Sequence, residues 1–337
     1  MNDETYLLDP VYELEEGAWK AAALRAAIEL DVFSAIEGGA TLAAAADATG
    51  CDRRGLGVLL GLLCCMGMVH REGDVFRLKP VAATYLVPRQ AAYYGDWALG
   101  ATLRWDVLGR LAQAVRTGRA VGGDLSSSGG GTEDAWQAHT EPVLAEWPER
   151  ARDARELWQQ AGIAPAGMAR FDVLDPACGP GVTSFALAHE YSCVHVTGFD
   201  FAPVLDTTRA IARAMEVDDR VTLLEGDVKA SDYGVALYDV VLFGRILYYL
   251  DDAEAGIALS KARDALRPHG SVLIHEARVD EDEHGASDGY LTALMLFGFA
   301  PHSHVRTFAE YRHLAEAVGF DDVTEVSSSV IRATRRG

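Results

Sequence analysis

The stretch Phe171-Asp-Val-Leu-Asp-Pro-Ala-Cys-Gly-Pro-Gly181, running directly into Val182-Thr-Ser-Phe-Ala-Leu-Ala188, decides the fold. A short apolar run ends in an acid, turns on two glycines and enters a helical pattern. Glycine at such a turn permits dihedrals that other residues resist and lets backbone approach a ligand closely. By itself the turn serves equally well as a tight structural connection. Its neighbours tip the balance. The next run, Val194 to Phe199, closes with Gly198-Phe199-Asp200, and Asp200 stands about twenty residues past Gly181, where nucleotide-binding βαβ units place an acid for ribose hydroxyls. A third run, Val221 to Leu224, closes with Glu225-Gly226-Asp227-Val228. Open α/β sheets bind ligands outside the carboxyl ends of their strands, so three consecutive strand ends of this chemistry point to a small-molecule site.

Working outward, further β-branched runs lie at Val240 to Phe243, Ser271 to His275 and Val323 to Val330. Helical patterns at Thr183 to His189, Val204 to Met215, Ala253 to Leu266 and Phe308 to Val318 separate them, the grammar of βαβ units and a parallel sheet. Upstream the grammar is helical. An alanine-rich amphipathic helix is expected from Val11 to Ile36, then a short helix from Thr41 as N-cap to Thr49, stopped by Gly50. A helix from Arg53 to Met66 and a hairpin from Val69 to Leu78 around Gly73-Asp74 complete a winged-helix pattern. A helical stretch from Ala91 to Thr117 follows, with Trp97, Leu103, Trp105, Leu108 and Leu111 as its apolar set. The Gly/Ser-rich loop Gly122 to Gly131 then leads to a helix from Glu133 to Ala161 carrying Trp136, Leu144, Trp147 and Trp158. The expected division is 1–120 helical winged-helix module, 121–165 connecting loop and helix, and 166–337 catalytic α/β domain.

Composition narrows the function. A formal charge of -20 over 337 residues repels a phosphate backbone and offers no counterion release, which argues against a nucleic-acid partner. The would-be recognition helix has basic residues only at Arg53 and Arg54, then Leu56, Val58, Leu59, Leu60, Leu62 and Leu63, which suits a core or a subunit interface. Five cysteines, with Cys64 and Cys65 adjacent, suit reduced packing thiols better than a disulfide framework or a metal site. No apolar run is long enough to cross a membrane, and the acidic Met1 to Glu16 is unlike an export signal, so no membrane partner and a cytoplasmic location are expected.

The ordered set of Val173-Leu174-Asp175 to Gly181, Gly198-Phe199-Asp200, Gly226-Asp227, Leu266-Arg-Pro-His-Gly270 and Arg306-Thr307 with Glu310-Tyr311 and Gly319-Phe320 resembles class I S-adenosylmethionine (SAM)-dependent methyltransferases. It is most similar to the small-molecule O-methyltransferase family with an N-terminal winged-helix dimerisation domain. That resemblance implies a Rossmann-like domain, SAM as cofactor, a homodimer and a small-molecule acceptor. It implies that Asp175, Gly179 and Gly181 line the methionine moiety, Asp200 holds the ribose, and Asp227 with Val228 flanks the adenine. Phe201 and Arg245 join that cofactor-binding set. Ala177 stands where the family usually has glycine. A dinucleotide-dependent oxidoreductase is the rival enzyme, but the turn continues Gly181-Val-Thr-Ser without the third glycine of that fingerprint. A ligand-sensing winged-helix regulator with a degenerate catalytic domain is the rival outside enzymes, and the acidic composition speaks against it.

On the acceptor side, O-methylating relatives place a basic histidine after the fourth strand. Aligning Arg245-Ile-Leu-Tyr248-Tyr249-Leu250-Asp251-Asp252 on that element puts Tyr248 there. A phenol titrating near 10 orients an acceptor better than it removes a proton. Tyrosine after Arg-Ile-Leu also resembles bacteriochlorophyll-pathway C-methyltransferases, so oxygen and activated carbon both stand as acceptor atoms. Glu276 matches a glutamate that flanks the base, while Val305 replaces the second such glutamate. Trp136, His139, Leu294, Met295, Phe299 and His302 are the expected acceptor-side residues. His302 and His304 lack a third ligand nearby, and no metal is expected.

Overall fold

The computed structural model describes residues 8–90, 92–95, 98–99, 105–122, 136–137, 140, 143–279, 287–300 and 302–337. Two compact units emerge, Met1–Trp105 and Asp106–Gly337. Of the sequence expectations, His139, Trp97, Leu103, the start of the Glu133 helix and most of the Gly122 to Gly131 loop lie outside the described residues.

The first unit begins with α1 (Asp9–Glu29), which buries only Ala23, Ala27 and Ile28. The expected single helix to Ile36 is in fact broken. Asp31 adopts φ +51°, its carboxylate accepts a 2.5 Å hydrogen bond from Ser34 Oγ, and a separate short helix α2 (Val32–Ala35) follows. Val32, Phe33 and Ile36, beyond the turn, are fully buried in the core. Thr41 caps α3 (Leu42–Thr49), accepting from the Ala44 amide, and Gly50 closes it in the left-handed region. Asp52 caps α4 (Arg53–Cys65). Leu56, Leu60 and Leu63 recur at helical spacing on one buried face of α4, each worth about 1.5–3 kcal/mol of burial. After a short strand β1 (Ala40–Thr41), the hairpin of β2 (Val69–Glu72) and β3 (Val75–Leu78) pairs Val69 with Leu78 and Glu72 with Val75. Pro80–Tyr85 forms α5.

The short helix α6 (Trp105–Leu108) straddles the boundary, and α7 (Leu111–Thr117) and α8 (Val143–Gln160) follow in the second unit. A seven-stranded sheet follows: β4 (Phe171–Pro176), β5 (Val194–Asp200), β6 (Val221–Glu225), β7 (Tyr238–Gly244), β8 (Leu266–His275), β9 (Phe320–Ser327) and β10 (Val330–Arg335). Its spatial order is β6-β5-β4-β7-β8-β10-β9. The pairs among β4 to β8 are parallel, whereas β10 runs antiparallel to both β8 and β9. The single strand expected from Val323 to Val330 is therefore two strands, reversing at Ser328-Ser329. Three consecutive serines, Ser327 to Ser329, supply the small polar residues such a turn favours.

Alternation along the strands divides the core into two layers. Val173, Val196, Val240 and Leu242 face one layer with Trp158 and Phe185, while Leu174, Val241, Phe243 and Ile274 face the other with Leu259 and Tyr311. Helices α9 (Val182–Glu190) and α10 (Ala202–Ala214) contribute to the first layer. Helices α11 (Asp252–Ala265) and α13 (Phe308–Ala317) contribute to the second. The chain leaves β4 toward β5 and β6 on one side and returns to β7 and β8 on the other. The crevice at this reversal, outside β4 and β7, is where such sheets receive ligands. A further helix, α12 (Ser287–Phe299), lies between β8 and α13 in sequence.

Candidate active site

At the end of β4 the chain passes through Ala177 (φ +55°), Gly179 (φ +52°) and Gly181 (φ +75°) before α9 begins. The alanine at 177 occupies a left-handed conformation at a cost of about 1 kcal/mol, so the departure from glycine is tolerated at a strained position. Gly181 has a second constraint, since a Cβ there would overlap the ring of Phe185, which is fully buried.

Asp200 ties the three strand ends together. Its Oδ2 accepts from the Gly179 amide at 2.7 Å and its Oδ1 from the Phe201 amide at 2.8 Å. Its carbonyl accepts from the Gly226 amide at 3.0 Å, which draws the β6 loop alongside. Thr208 donates to the Gly179 carbonyl at 2.6 Å and fixes the turn from α10. Asp175, almost fully buried, accepts from Ser184 Oγ at 2.6 Å, so its carboxyl points inward from the turn. Asp227 Oδ1 accepts from the amides of Lys229 and Ala230, while Ser231 accepts from the Asp227 amide. Buried Val228 receives a hydrogen bond on its carbonyl from the Tyr233 hydroxyl, and Tyr233 leans on Phe199 with ring centroids 5.2 Å apart.

Burial dominates the electrostatics here. It pushes the Asp175 carboxyl up to about 7 against the Ser184 hydrogen bond, with the Asp200 charge adding to the rise. It pushes Asp200 up to about 6 despite the two amides it accepts from. Clustered carboxyls short of positive charge fit a cationic sulfonium donor bearing ribose hydroxyls and an amino group. The strained, glycine-bearing turn before α9 suits close approach of the same ligand.

Beyond β7 a second set of residues converges. Arg245 takes φ +59° and its amide donates to the His275 carbonyl. Glu276 Oε1 accepts from the amides of Ile246 and Leu247 at 2.8 and 2.7 Å. A single 3₁₀ turn, Leu247–Tyr249, then presents two tyrosines. Tyr248 is buried against Leu296 and Val305, and its ring lies 4.8 Å from that of Tyr249. Trp136 meets Tyr249 edge to face, 4.9 Å apart at 89°. Burial drives Tyr248 well above the ordinary phenol range and pushes Glu276 up to about 8, Arg245 and Arg306 pulling Glu276 the other way. His275 falls to about 4 through burial and the Arg245 charge.

The sequence-derived residues thus form two groups. The turn, Asp200, Phe201, Asp227 and Val228 form a connected network at the ends of β4, β5 and β6, while Tyr248 and Glu276 lie just past β7 and β8 and Trp136 packs on the neighbouring Tyr249. Leu294 and Met295 are exposed on α12, Phe299 lies where a side chain at Gly122 would meet it, and His302 is exposed. Among the described residues no group of three potential ligands could hold a metal. Residues that sequence reasoning passed over are Thr208, Ser231, Tyr233 and Tyr249, together with the buried Arg306, noted only as part of a motif. Most of their partners, such as Gly179 for Thr208, Trp136 for Tyr249 and Leu247 for Arg306, lie far away in sequence, so spacing gives no hint of them.

Asp175, Asp200 and Glu276 together set a pH dependence. Each favours the fold while protonated, because its folded value lies above the ordinary carboxylate range near ~4. That stabilisation is complete below this range and is lost as pH rises through about 6 to 8. The thermal midpoint of the ligand-free protein is therefore expected to fall between about pH 5 and about pH 8.5, and to fall less in Asp175→Asn. A midpoint that is flat or rises across this window contradicts the reading.

Comparison with known proteins identifies the family. Residues 109–321 match the O-methyltransferase domain and residues 12–88 the O-methyltransferase dimerisation domain. The chain is 27% identical to the tetracenomycin polyketide synthesis 8-O-methyltransferase of Streptomyces glaucescens, across 98% of this chain and 96% of that one. It is 28% identical to the bacteriochlorophyllide d C-20 methyltransferase of Chlorobaculum tepidum, across 92% and 91%. The SAH-bound crystal structure of CalO1, a methyltransferase in calicheamicin biosynthesis, superposes with a TM-score of 0.74 at 26% identity, covering 99% of this chain and 100% of that one. The chain belongs to the SAM-dependent O-methyltransferase family and carries that family's dimerisation domain ahead of its Rossmann-like catalytic domain.

Proposed function

We propose that this enzyme transfers the methyl group of SAM to a hydroxyl of a small aromatic metabolite of secondary metabolism. The observation that carries this reading is the aromatic cluster in which Tyr248 and Tyr249, on the turn after β7, are met by Trp136 edge to face, beside the strand that carries the glycine turn of β4. A planar acceptor ring packs well against the outer edges and faces of such a cluster. The tetracenomycin relative supports an aromatic polyketide-like acceptor.

SAM supplies an activated methyl group, so catalysis needs an acceptor held in line more than a strong base. On the donor side, Asp200 holds the ribose, Asp227 and Val228 flank the adenine, and Asp175, Gly179 and Gly181 border the methionine end. Phe201 and Arg245 complete that side. Tyr248 orients the acceptor through its hydroxyl, and its elevated titration leaves it protonated and donating near neutral pH. Leu294, Met295 and Phe299 of α12, with His302, face the acceptor. Two copies pair through the dimerisation domain, where α1 exposes Leu14 and Trp19 at 77% and 76%. No helix among the described residues is long and apolar enough to cross a membrane, and we place the reaction in the cytoplasm.

Carbon is the second reading for the acceptor atom, favoured by similarity to the C-20 methyltransferase and by tyrosine at the position of the base. Titration calorimetry with SAM and separately with NAD comes first, then methyl transfer to phenols and activated carbon acids. Micromolar SAM affinity with no NAD signal and methylation of a phenol support the main reading; a C-methylated product alone moves the assignment to carbon. Tyr248→Phe is expected to slow turnover about tenfold, one hydrogen bond's worth, with SAM affinity intact. Full activity in that variant removes Tyr248 from the mechanism.

A further inference from the structure

The segment 245–250 has unusual needs. It leaves β7 through a left-handed arginine and makes only one 3₁₀ turn, so most of its backbone polar groups find no partner within the segment. Two buried charged side chains serve them. Glu276, 1% exposed, accepts from the amides of Ile246 and Leu247 through a single oxygen. Arg306, 0% exposed, donates to the carbonyls of Leu247 at 2.9 Å and Leu250 at 2.8 Å. The guanidinium is balanced by Asp252 Oδ1 at 2.8 and 3.0 Å, and the His304 amide donates to the Tyr248 carbonyl. One side chain thus gathers the donors of the turn and the other its acceptors. Tyr248 and Tyr249 sit on the backbone so gripped.

We propose that Glu276 and Arg306 are positioning residues that set the acceptor-side tyrosines through the backbone of the 245–250 turn, and that Glu276 acts as a hydrogen-bond acceptor and not as a carboxylate taking part in proton removal. This rests on the reading that the acceptor lies beside Tyr248. Both N–H groups go to Glu276 Oε1, while Oε2 is buried with no partner among the described residues, as is the hydroxyl of Tyr311. An amide oxygen can do what Oε1 does, so glutamine should replace this glutamate. Lysine should not replace Arg306, because one ammonium on a flexible stem cannot span two carbonyls and Asp252 in a fixed fork.

The test compares Glu276→Gln, Glu276→Ala and Arg306→Lys in the full chain by three readouts. These are acceptor kcat and KM, SAM affinity by calorimetry, and hydrogen exchange of the peptide spanning 245–250. Glu276→Gln is expected to keep kcat within about threefold and native exchange protection. Glu276→Ala and Arg306→Lys are expected to lose about tenfold to hundredfold in kcat and to lose protection in that peptide, with SAM affinity, to which Arg245 contributes, falling by less than the loss in kcat. A Glu276→Gln variant as slow as Glu276→Ala while exchange stays native overturns the proposal, since the carboxylate itself would then be needed. Native protection in Arg306→Lys overturns the arginine half. If the alanine variant fails to fold, the glutamine and lysine variants still decide. If no acceptor is ever methylated, the functional reading fails on its own, and exchange in the ligand-free protein still reports whether the two side chains hold the turn.

Discussion

Gly181→Ala lowers the thermal midpoint of the catalytic unit by roughly 5–15 °C and abolishes measurable SAM binding. Two costs add. The residue sits at φ +75°, where a Cβ costs about 1–2 kcal/mol, and the new methyl overlaps the Phe185 ring. Phe185 is fully buried and cannot swing aside, so overpacking adds about 1–3 kcal/mol. For a domain of this size each kcal/mol moves the midpoint by roughly 2–4 °C. The shift distorts the turn itself, because Gly181 is the N-cap of α9 and its carbonyl accepts from Ser184. Thermal unfolding with and without SAM is the measurement. A variant as stable as the parent, with unchanged affinity, means that the turn relaxes freely and is not the rigid donor cradle described here.

The second large effect is on affinity with the fold retained. Asp200→Ala should weaken SAM binding by about 2–3 kcal/mol, roughly 30-fold to 150-fold, through loss of charge-assisted hydrogen bonds to the donor. Part of the loss is indirect, since the Gly179 and Phe201 amides lose their shared acceptor. Asp200→Asn separates the contributions. It keeps one oxygen for one of these amides but removes the charge, so it is expected to fall between the parent and alanine variants. Calorimetric affinity equal to the parent in both variants removes Asp200 from the donor site.

The catalytic fold was legible because the central strands, buried on both faces, read as unbroken β-branched runs, and the runs at Phe171, Val194, Val240 and Ser271 are each followed by helices with their own signals. The capping boxes of Asp251 with Glu254 and Thr307 with Glu310 mark two of those helix starts. Periodicity failed where it continued past a real break. Val32, Phe33 and Ile36 keep the apolar helical rhythm of α1, yet Asp31 turns the chain between them. Likewise Val326 and Val330 belong to different strands although only serines and Val326 itself separate Glu325 from Val330. The donor loops were readable because glycines and acids at strand ends are local signals. The grip of Arg306 on Leu247 and Leu250 was not, because it joins residues 59 and 56 apart. Glu276 was found for its likeness to a base-flanking glutamate, and only the structure reveals that its carboxyl faces backbone amides. On the function proposed here, acceptor identity depends on side chains from separate stretches, α12 and Trp136 among them, and pocket shape is not written in any one stretch.

The placement of β10 between β8 and β9 has a bearing on how the molecule comes to be folded. Strand β9 is made first but has no hydrogen-bonding neighbour except β10, so it cannot join the sheet when it appears. Until β10 arrives, β8 presents an open edge lined by Val272, Leu273 and Ile274, all destined for the interior. An unpaired apolar edge of that kind templates pairing with other chains. Closing it requires contacts between segments about 55 to 63 residues apart, a slow kind of search. The vulnerable interval in the life of this enzyme is therefore the wait for β10, and substitutions that loosen β10 should appear first as insoluble protein during synthesis, before any loss of activity in what survives.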